Sequence, residues 1–180
     1  MSSLYEKTLA TRRVFEGRAL TIDILDIELP NGRKSTREVI RHTGAVCILG
    51  ELPDGRFILI RQFRKAIDQE IIECVAGCME VGEAPETAAL RETREESGYE
   101  VETLTSLGSA YPVPGYCDEV HHFYHAKLKA TPEALQLDTD ENLYPIIVSE
   151  DEIETMIDNH EIVDAKTLLL WYKFLRHRKG

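Results

Sequence analysis

The sequence predicts an α/β fold of the α+β kind: a mixed β-sheet between helices, preceded by an antiparallel strand extension. Three observations predict it. Two turn signals, Pro30-Asn31-Gly32 and Pro53-Asp54-Gly55, each stand between apolar, strand-like runs, the pattern of a hairpin. One long helical pattern over 84–97 is bracketed by Pro85 near its first position and Gly98 just past its end. The other strand-like runs do not alternate regularly with helices, so a doubly wound parallel sheet is not expected.

Taken in order, "RALTIDILDIELPNGRKSTREVIRH" reads as two strands joined at its Asn-Gly, and "GAVCILGELPDGRFILIRQF" as two more. "EIIECVAG" reads as a short strand ending at Gly77. After the helix, strands are expected around 104–110, 120–128 and 144–148. Ser149 with Glu152 three residues on forms a capping box that opens a second helix. Asp164 opens the third, with Leu168, Leu169, Trp171, Tyr172 and Leu175 as its apolar face.

The 180 residues suffice for one domain with a full core, and 43% hydrophobic with 29% charged residues is ordinary for a water-soluble chain. No apolar run approaches the ~20 residues that span a bilayer. "MSSLYEKTLATRRVFEG" lacks the apolar stretch of a secretory signal, so a cytoplasmic location is expected. Cys47, Cys74, Cys78 and Cys117 form no CxxC pair and are expected to be reduced thiols, mostly buried. A net charge of −11 argues against nucleic acid or an acidic membrane as partner. It leaves room for a small phosphorylated substrate, provided divalent cations stand between carboxylates and phosphates. His121, His122 and His125 lie on one alternating strand with no fourth ligand at zinc-like spacing, and read as two exposed residues and one buried one.

The helical stretch poses a physical question. Glu92, Glu95 and Glu96 fall within roughly one quadrant of the helix, because positions three and four apart are neighbours. Each like-charge pair costs roughly 0.2–0.5 kcal/mol, and all three lie toward the end of the helix where its dipole disfavours negative charge. Arg91 and Arg94 relieve part of this, and a solvated face would need nothing more. A divalent cation relieves it better: carboxylates on a rigid helix suit Mg²⁺, with water and phosphate completing the octahedron.

Gly77, Glu83 and "RETREESGY" (residues 91–99) resemble the Nudix box, G-x5-E-x7-R-E-U-x-E-E-x-G-U, at every fixed position, with Thr93 and Tyr99 where bulky aliphatic residues are usual. "LPNGRKSTREVIRHTGAV", "LIRQFRKAI", "IECVAG", "YPVPGYCDEV" and "IVDAKTLLLWYKFL" extend the likeness, over nearly the whole chain, to the ADP-ribose pyrophosphatase or nucleoside-diphosphate-sugar hydrolase branch. Pro114 stands about sixteen residues past the box glycine Gly98, where that branch often has a proline; Val75 and Val113 depart from its Pro-Ala-Gly and Ser-Pro-Gly patterns.

The resemblance implies a Nudix fold, with 1–43 as an N-terminal β extension used for dimerisation and 44–180 as the Nudix hydrolase domain. It implies Mg²⁺-dependent cleavage of a nucleoside diphosphate sugar, ADP-ribose foremost, with GDP-mannose or a broad range of such sugars as the alternative; Mn²⁺ would substitute for Mg²⁺. A nucleotide-sugar-sensing module without catalysis is the rival of a different class. The metal ligands would be Glu92, Glu95, Glu96 and the Ala76 carbonyl. Arg91 would pair with Glu83 or Glu95, leaving Glu83 a structural support. The general base would be Asp140, Glu141 or a box glutamate (Glu95 or Glu96), since Thr139 stands where a glutamate is expected. Arg64 would bind substrate phosphate, Glu119 the terminal sugar or a metal, and Arg37 and Phe15 the base, reaching it from a partner subunit in a homodimer that exchanges N-terminal strands.

Overall fold

The computed structural model describes residues 4–18, 20–137 and 142–179, which fall into two compact units. The first holds the N-terminal residues up to Gly44 together with 111–120; the second holds 45–110 and the rest of the chain from His121.

The first unit is a three-stranded antiparallel sheet in the order β1 (Lys7–Glu16), β2 (Thr21–Glu28), β3 (Lys34–Arg41). The Asn-Gly hairpin forms as expected: Asn31 Oδ1 accepts from Arg33 N, and Gly32 N donates to Leu29 O at 2.9 Å. The sequence reading did not identify β1 as a strand of its own. All ten of its residues are exposed, so no buried face stamps an alternation on "KTLATRRVFE". Residues 111–120 belong to this unit because β3 binds them: Ile40 N donates to Tyr116 O at 2.8 Å, and Asp118 N to Ile40 O at 3.2 Å. Buried Asp23 accepts from Arg13 and Arg41, each at 3.1 Å, which holds its carboxyl below the usual range, and Arg41 goes on to Asp118 at 2.9 Å.

The second unit is a mixed sheet in the order β10 (Leu143–Val148), β5 (Phe57–Arg64), β4 (Ala45–Glu51), β9 (His121–Leu128), β8 (Val101–Ala110). Strands β4 and β9 are parallel; the other pairs are antiparallel. The single strand expected in "EIIECVAG" is two, β6 (Gln69–Glu73) on β5 and β7 (Val75–Cys78) on β4, because the chain changes partner at Cys74.

Alternation along β4 builds two cores. Val46 and Ile48 face helix α1 (Pro85–Ser97), packing with Ala88, Ala89 and Tyr124. Cys47 and Leu49 face the opposite way, toward Ile153 of α2 (Glu150–Asp158) and Leu170, Trp171 and Phe174 of α3 (Ala165–Arg178). The mixed sheet is thus sandwiched between helices, as the sequence predicts.

The helix ends follow local chemistry. Pro85 stands at the start of α1, and Gly98 closes it with φ 75°, donating to Arg94 O at 3.0 Å. A Cβ there would lie 2.5 Å from the Glu133 carbonyl oxygen, so both conformation and space demand glycine. Ser149 and Glu152 form both bonds of the capping box, and Asp164 caps α3 by accepting from Thr167 N. Of the face expected for α3, Leu168, Leu169, Trp171 and Leu175 do pack on the core, and Tyr172 does not. Thr167, Leu170, Trp171 and Phe174, spaced i, i+3, i+4, i+7, are its buried stripe, whereas Tyr172 is 59% exposed. An unbroken Leu-Leu-Leu-Trp run carries no mark of which side faces in. The histidines also differ: His121 is the buried one, while His122 and His125 are both half-buried, His125 bonding Glu51 at 2.7 Å. Three of the four thiols are buried and all are free, as expected.

Candidate active site

Strand β7 and helix α1 bring the box residues together. Glu92 and Glu96 are buried, and Glu95 is half-buried. Glu96 accepts from the Ala76 amide at 3.1 Å, fixing the carboxylate against β7. Glu92 lies over Gly77 so closely that a Cβ there would stand 2.0 Å from its Cδ and 2.1 and 2.2 Å from its two oxygens. The box therefore needs glycine at 77 to leave room for a carboxylate, not for a turn.

Arg91 answers much of the repulsion. Its Nε and Nη2 grip Glu83 as a fork at 3.1 and 2.9 Å, while Nη1 reaches Glu92 at 2.6 Å and Glu95 at 3.0 Å. The expectation of Glu83 or Glu95 is met by both, with Glu92 in addition. Hydrogen bonding to Glu83, foremost, raises the guanidinium pKa, and the same bonds hold the Glu83 carboxyl below its usual range. Three carboxylates on one guanidinium leave the local balance negative.

Among the described residues, no three His, Cys, Asp or Glu side chains already stand as a metal cage. The fit to a divalent cation lies in the donor chemistry. Glu92, Glu95 and Glu96 offer hard oxygens from one rigid helix, and glycine at 77 leaves the Glu92 carboxylate its place there. These residues suit Mg²⁺ or Mn²⁺, and none is a soft ligand.

Arg64 closes β5 and is held by Glu73: Nε to Oε1 at 2.6 Å and Nη2 to Oε2 at 2.8 Å. Lys166 of α3 bonds the same carboxylate and also Asp164 at 3.0 Å. Sequence reasoning missed Glu73 and Lys166. The available signal was an acid inside the apolar run of "EIIECV", which burial permits only with a cation beside it.

In the first unit, Arg37 lines a cavity of about 430 Å³ with Glu6, Tyr111, Pro114 and Tyr116, and pairs with Glu6 at 2.5 Å. The two tyrosines were not anticipated, though a Tyr on either side of the Pro114-Gly115 turn was the signal. Phe15, exposed on β1, and Glu119, 3.6 Å from His42 Nδ1, do not line that cavity. Asp140 and Glu141 lie outside the described residues.

The chain belongs to the NUDIX domain family, whose pattern matches residues 41–171. It is 40% identical over 168 residues to the ADP-ribose pyrophosphatase of Bacillus subtilis strain 168, covering 93% of this chain and 91% of that protein. It is also 40% identical over 171 residues to the methanol dehydrogenase activator of Bacillus methanolicus (94% and 92%), and 33% identical over 175 residues to a GDP-mannose pyrophosphatase of Yersinia enterocolitica (90% and 88%). The crystal structure of an ADP compounds hydrolase superposes with a TM-score of 0.85 at 24% identity, covering 100% of this chain and 98% of that one, which shows a shared fold.

Proposed function

We propose that this chain is a Nudix pyrophosphohydrolase that cleaves the pyrophosphate of nucleoside diphosphate sugars, with ADP-ribose, yielding AMP and ribose 5-phosphate, as the foremost substrate. The observation that carries the reading is the gathering of Glu92, Glu95 and Glu96 on one helix face, with Glu92 seated over Gly77, in a chain 40% identical to an ADP-ribose pyrophosphatase. Glu92, Glu95, Glu96 and the Ala76 carbonyl would hold Mg²⁺, or Mn²⁺ in its place, which would neutralise charge on the bridge and make a bound water more acidic. The chain's own groups do the rest. Glu96, tied to the Ala76 amide, and Glu95, tied to Arg91, are oriented rather than free to swing. Asp140, Glu141 or one of these box glutamates takes the proton of the attacking water. Arg64 offers a guanidinium to a phosphate, Arg37 and Phe15 reach the base from the partner subunit, and Glu119 contacts the terminal sugar or a metal. Such catalysis is mostly positioning and electrostatics.

The active form in this reading is a cytoplasmic homodimer that exchanges N-terminal strands. In its favour, β1 is an edge strand exposed along its whole length, with Leu9, Val14 and Phe15 on the surface. Light scattering giving a single-chain mass at micromolar concentration contradicts the dimer.

The direct test is a panel of nucleotide sugars with titrated Mg²⁺, products resolved by chromatography. AMP and ribose 5-phosphate from ADP-ribose are expected, with GDP-mannose or a wider panel as the alternative. No turnover of any of them sinks the reading. A second reading, a nucleotide-sugar sensor, is favoured by one observation: a relative at 40% identity is named an activator of another enzyme. Glu96→Gln separates the two. As a hydrolase the variant loses turnover by orders of magnitude while still binding nucleotide sugar; a sensor has no turnover to lose.

A further inference from the structure

The "IVDAKT" stretch, prominent in the sequence, takes no part in the chemistry described so far. The structure ties it to the junction of β6 and β7. Asp164 caps α3 and pairs with Lys166; Lys166 reaches Glu73; and the Thr167 hydroxyl accepts from the Cys74 amide at 2.8 Å. Glu73 is 1% exposed, an extreme burial for a carboxylate, and it has two cationic partners on separate elements, Arg64 and Lys166. Charge balance accounts for both cations once Asp164 is counted, but not for the geometry in which Arg64 is held. With Glu73 and Asp164 negative and Arg64 and Lys166 positive, the group is neutral, and burying it serves stability no better than apolar packing would.

The geometry at Arg64 suggests what else it does. A guanidinium has two edges that carry parallel donors, Nε–Nη2 and Nη1–Nη2. Glu73 occupies the first with both oxygens, which fixes the plane and the rotation of the group. The Nη1–Nη2 edge takes no hydrogen bond among the described residues, and the Arg64 side chain is 42% exposed, whereas Glu73 behind it is not. Arg64 also lies within the electrostatic reach of Glu96. The guanidinium is therefore clamped from the protein side by Glu73 and exposed on the other.

We infer that Glu73 is a positioning residue, braced by Lys166 of "IVDAKT", which locks the Arg64 guanidinium by one edge so that the opposite edge receives two oxygens of a substrate phosphate. The inference rests on the pyrophosphohydrolase reading and deepens it by assigning residues that touch no substrate themselves. It explains why α3, on the other side of the sheet from α1, carries a lysine and a capping aspartate at its first turn.

The test is a double-variant cycle on affinity for the α,β-methylene analogue of ADP-ribose, measured by calorimetry, with kcat and KM for ADP-ribose and melting temperature alongside. Arg64→Lys keeps the charge and loses the fork. It is expected to weaken binding by about 10–100-fold, the worth of a bidentate charge-assisted pair. Glu73→Gln is expected to raise the dissociation constant and KM by about tenfold at Arg64, yet to add nothing in the Arg64→Lys background. Glu73→Asp, which keeps the buried charge and draws the fork back by one methylene, serves if Glu73→Gln does not fold; it should weaken binding while the melting temperature stays near that of the wild type. Additive losses in the cycle, or weakened stability with unchanged affinity, overturn the positioning role while leaving the hydrolase reading intact. A wild-type chain that neither binds the analogue nor turns over ADP-ribose overturns both.

Discussion

Gly77→Ala isolates the claim that this glycine exists to make room for a carboxylate. The new Cβ would stand 2.0 Å from Glu92 Cδ, and ordinary contact begins near 3.4 Å, so the Glu92 carboxylate must retreat by at least roughly 1.4 Å. The backbone itself does not object, since Gly77 is not among the glycines with positive φ. Stability then changes by two opposing amounts. Losing the 2.6 Å bond from Arg91 to Glu92 costs about 1.5–3 kcal/mol, while replacing a glycine at a compatible position returns about 0.4–1 kcal/mol. The net is a loss of roughly 0.5–2.6 kcal/mol, which leaves the chain folded. Activity suffers far more, because misplacing a reacting constellation by about 1 Å costs on the order of 10²-fold. The assay is kcat for ADP-ribose across a Mg²⁺ titration, read beside a urea unfolding curve. The expected result is a folded variant with turnover down about 10²-fold or more and a higher metal requirement. Wild-type turnover at the wild-type metal concentration would show that Glu92 is not needed where the structure puts it.

Two further outcomes are expected. Ser149→Ala removes the hydroxyl half of the capping box, the 3.2 Å bond from Glu152 N to Ser149 Oγ, while the 2.7 Å bond from the residue 149 backbone N–H to Glu152 Oε2 can remain, and should cost about 1 kcal/mol. For a chain of this size that is a fall of about 2–4 °C in Tm by calorimetry, with turnover unchanged; an unaltered Tm contradicts it. The Arg91 fork holds the folded Glu83 carboxyl below its usual range, so Glu83 adds stability that is complete above the ordinary carboxylate pKa, about 4.3, and drains away as pH falls through the lowered folded value. Urea midpoints of the wild type should therefore drop more steeply below about pH 4.3 than those of Glu83→Gln, and parallel curves refute the coupling.

What the sequence disclosed was chemistry with near neighbours. The Asn31-Gly32 turn, the Ser149–Glu152 box and the Gly98 cap each close within four residues, so their partners are visible in any short window. The box carboxylates were legible for the same reason, because helix geometry alone gathers positions 92, 95 and 96. The acid in "EIIECV" was a signal that Glu73 needs a cation, but its partner Lys166 was not legible, since it stands 93 residues away. The centre of the α3 face was missed, with Leu170 and Phe174 at its heart and Tyr172 outside it, because Leu168, Leu169 and Leu170 are equal in hydropathy and the choice among them is made by the sheet they meet. Strand β1 went unseen because a strand exposed throughout carries no alternation to read. Tyr111 and Tyr116 entered the cavity beside Arg37 only once β3 had bound residues 111–120, a pairing of segments some seventy positions apart.

That last pairing bears on how such chains can be recombined. The N-terminal sheet is not an appendage that can be cut off at residue 43, because Ile40 gives both its backbone groups, and Arg41 its guanidinium, to a segment that arrives much later in the chain. A graft that moves the front strands into a relative must bring 111–120 with them, or it delivers a wall of the Arg37 cavity without its counterpart.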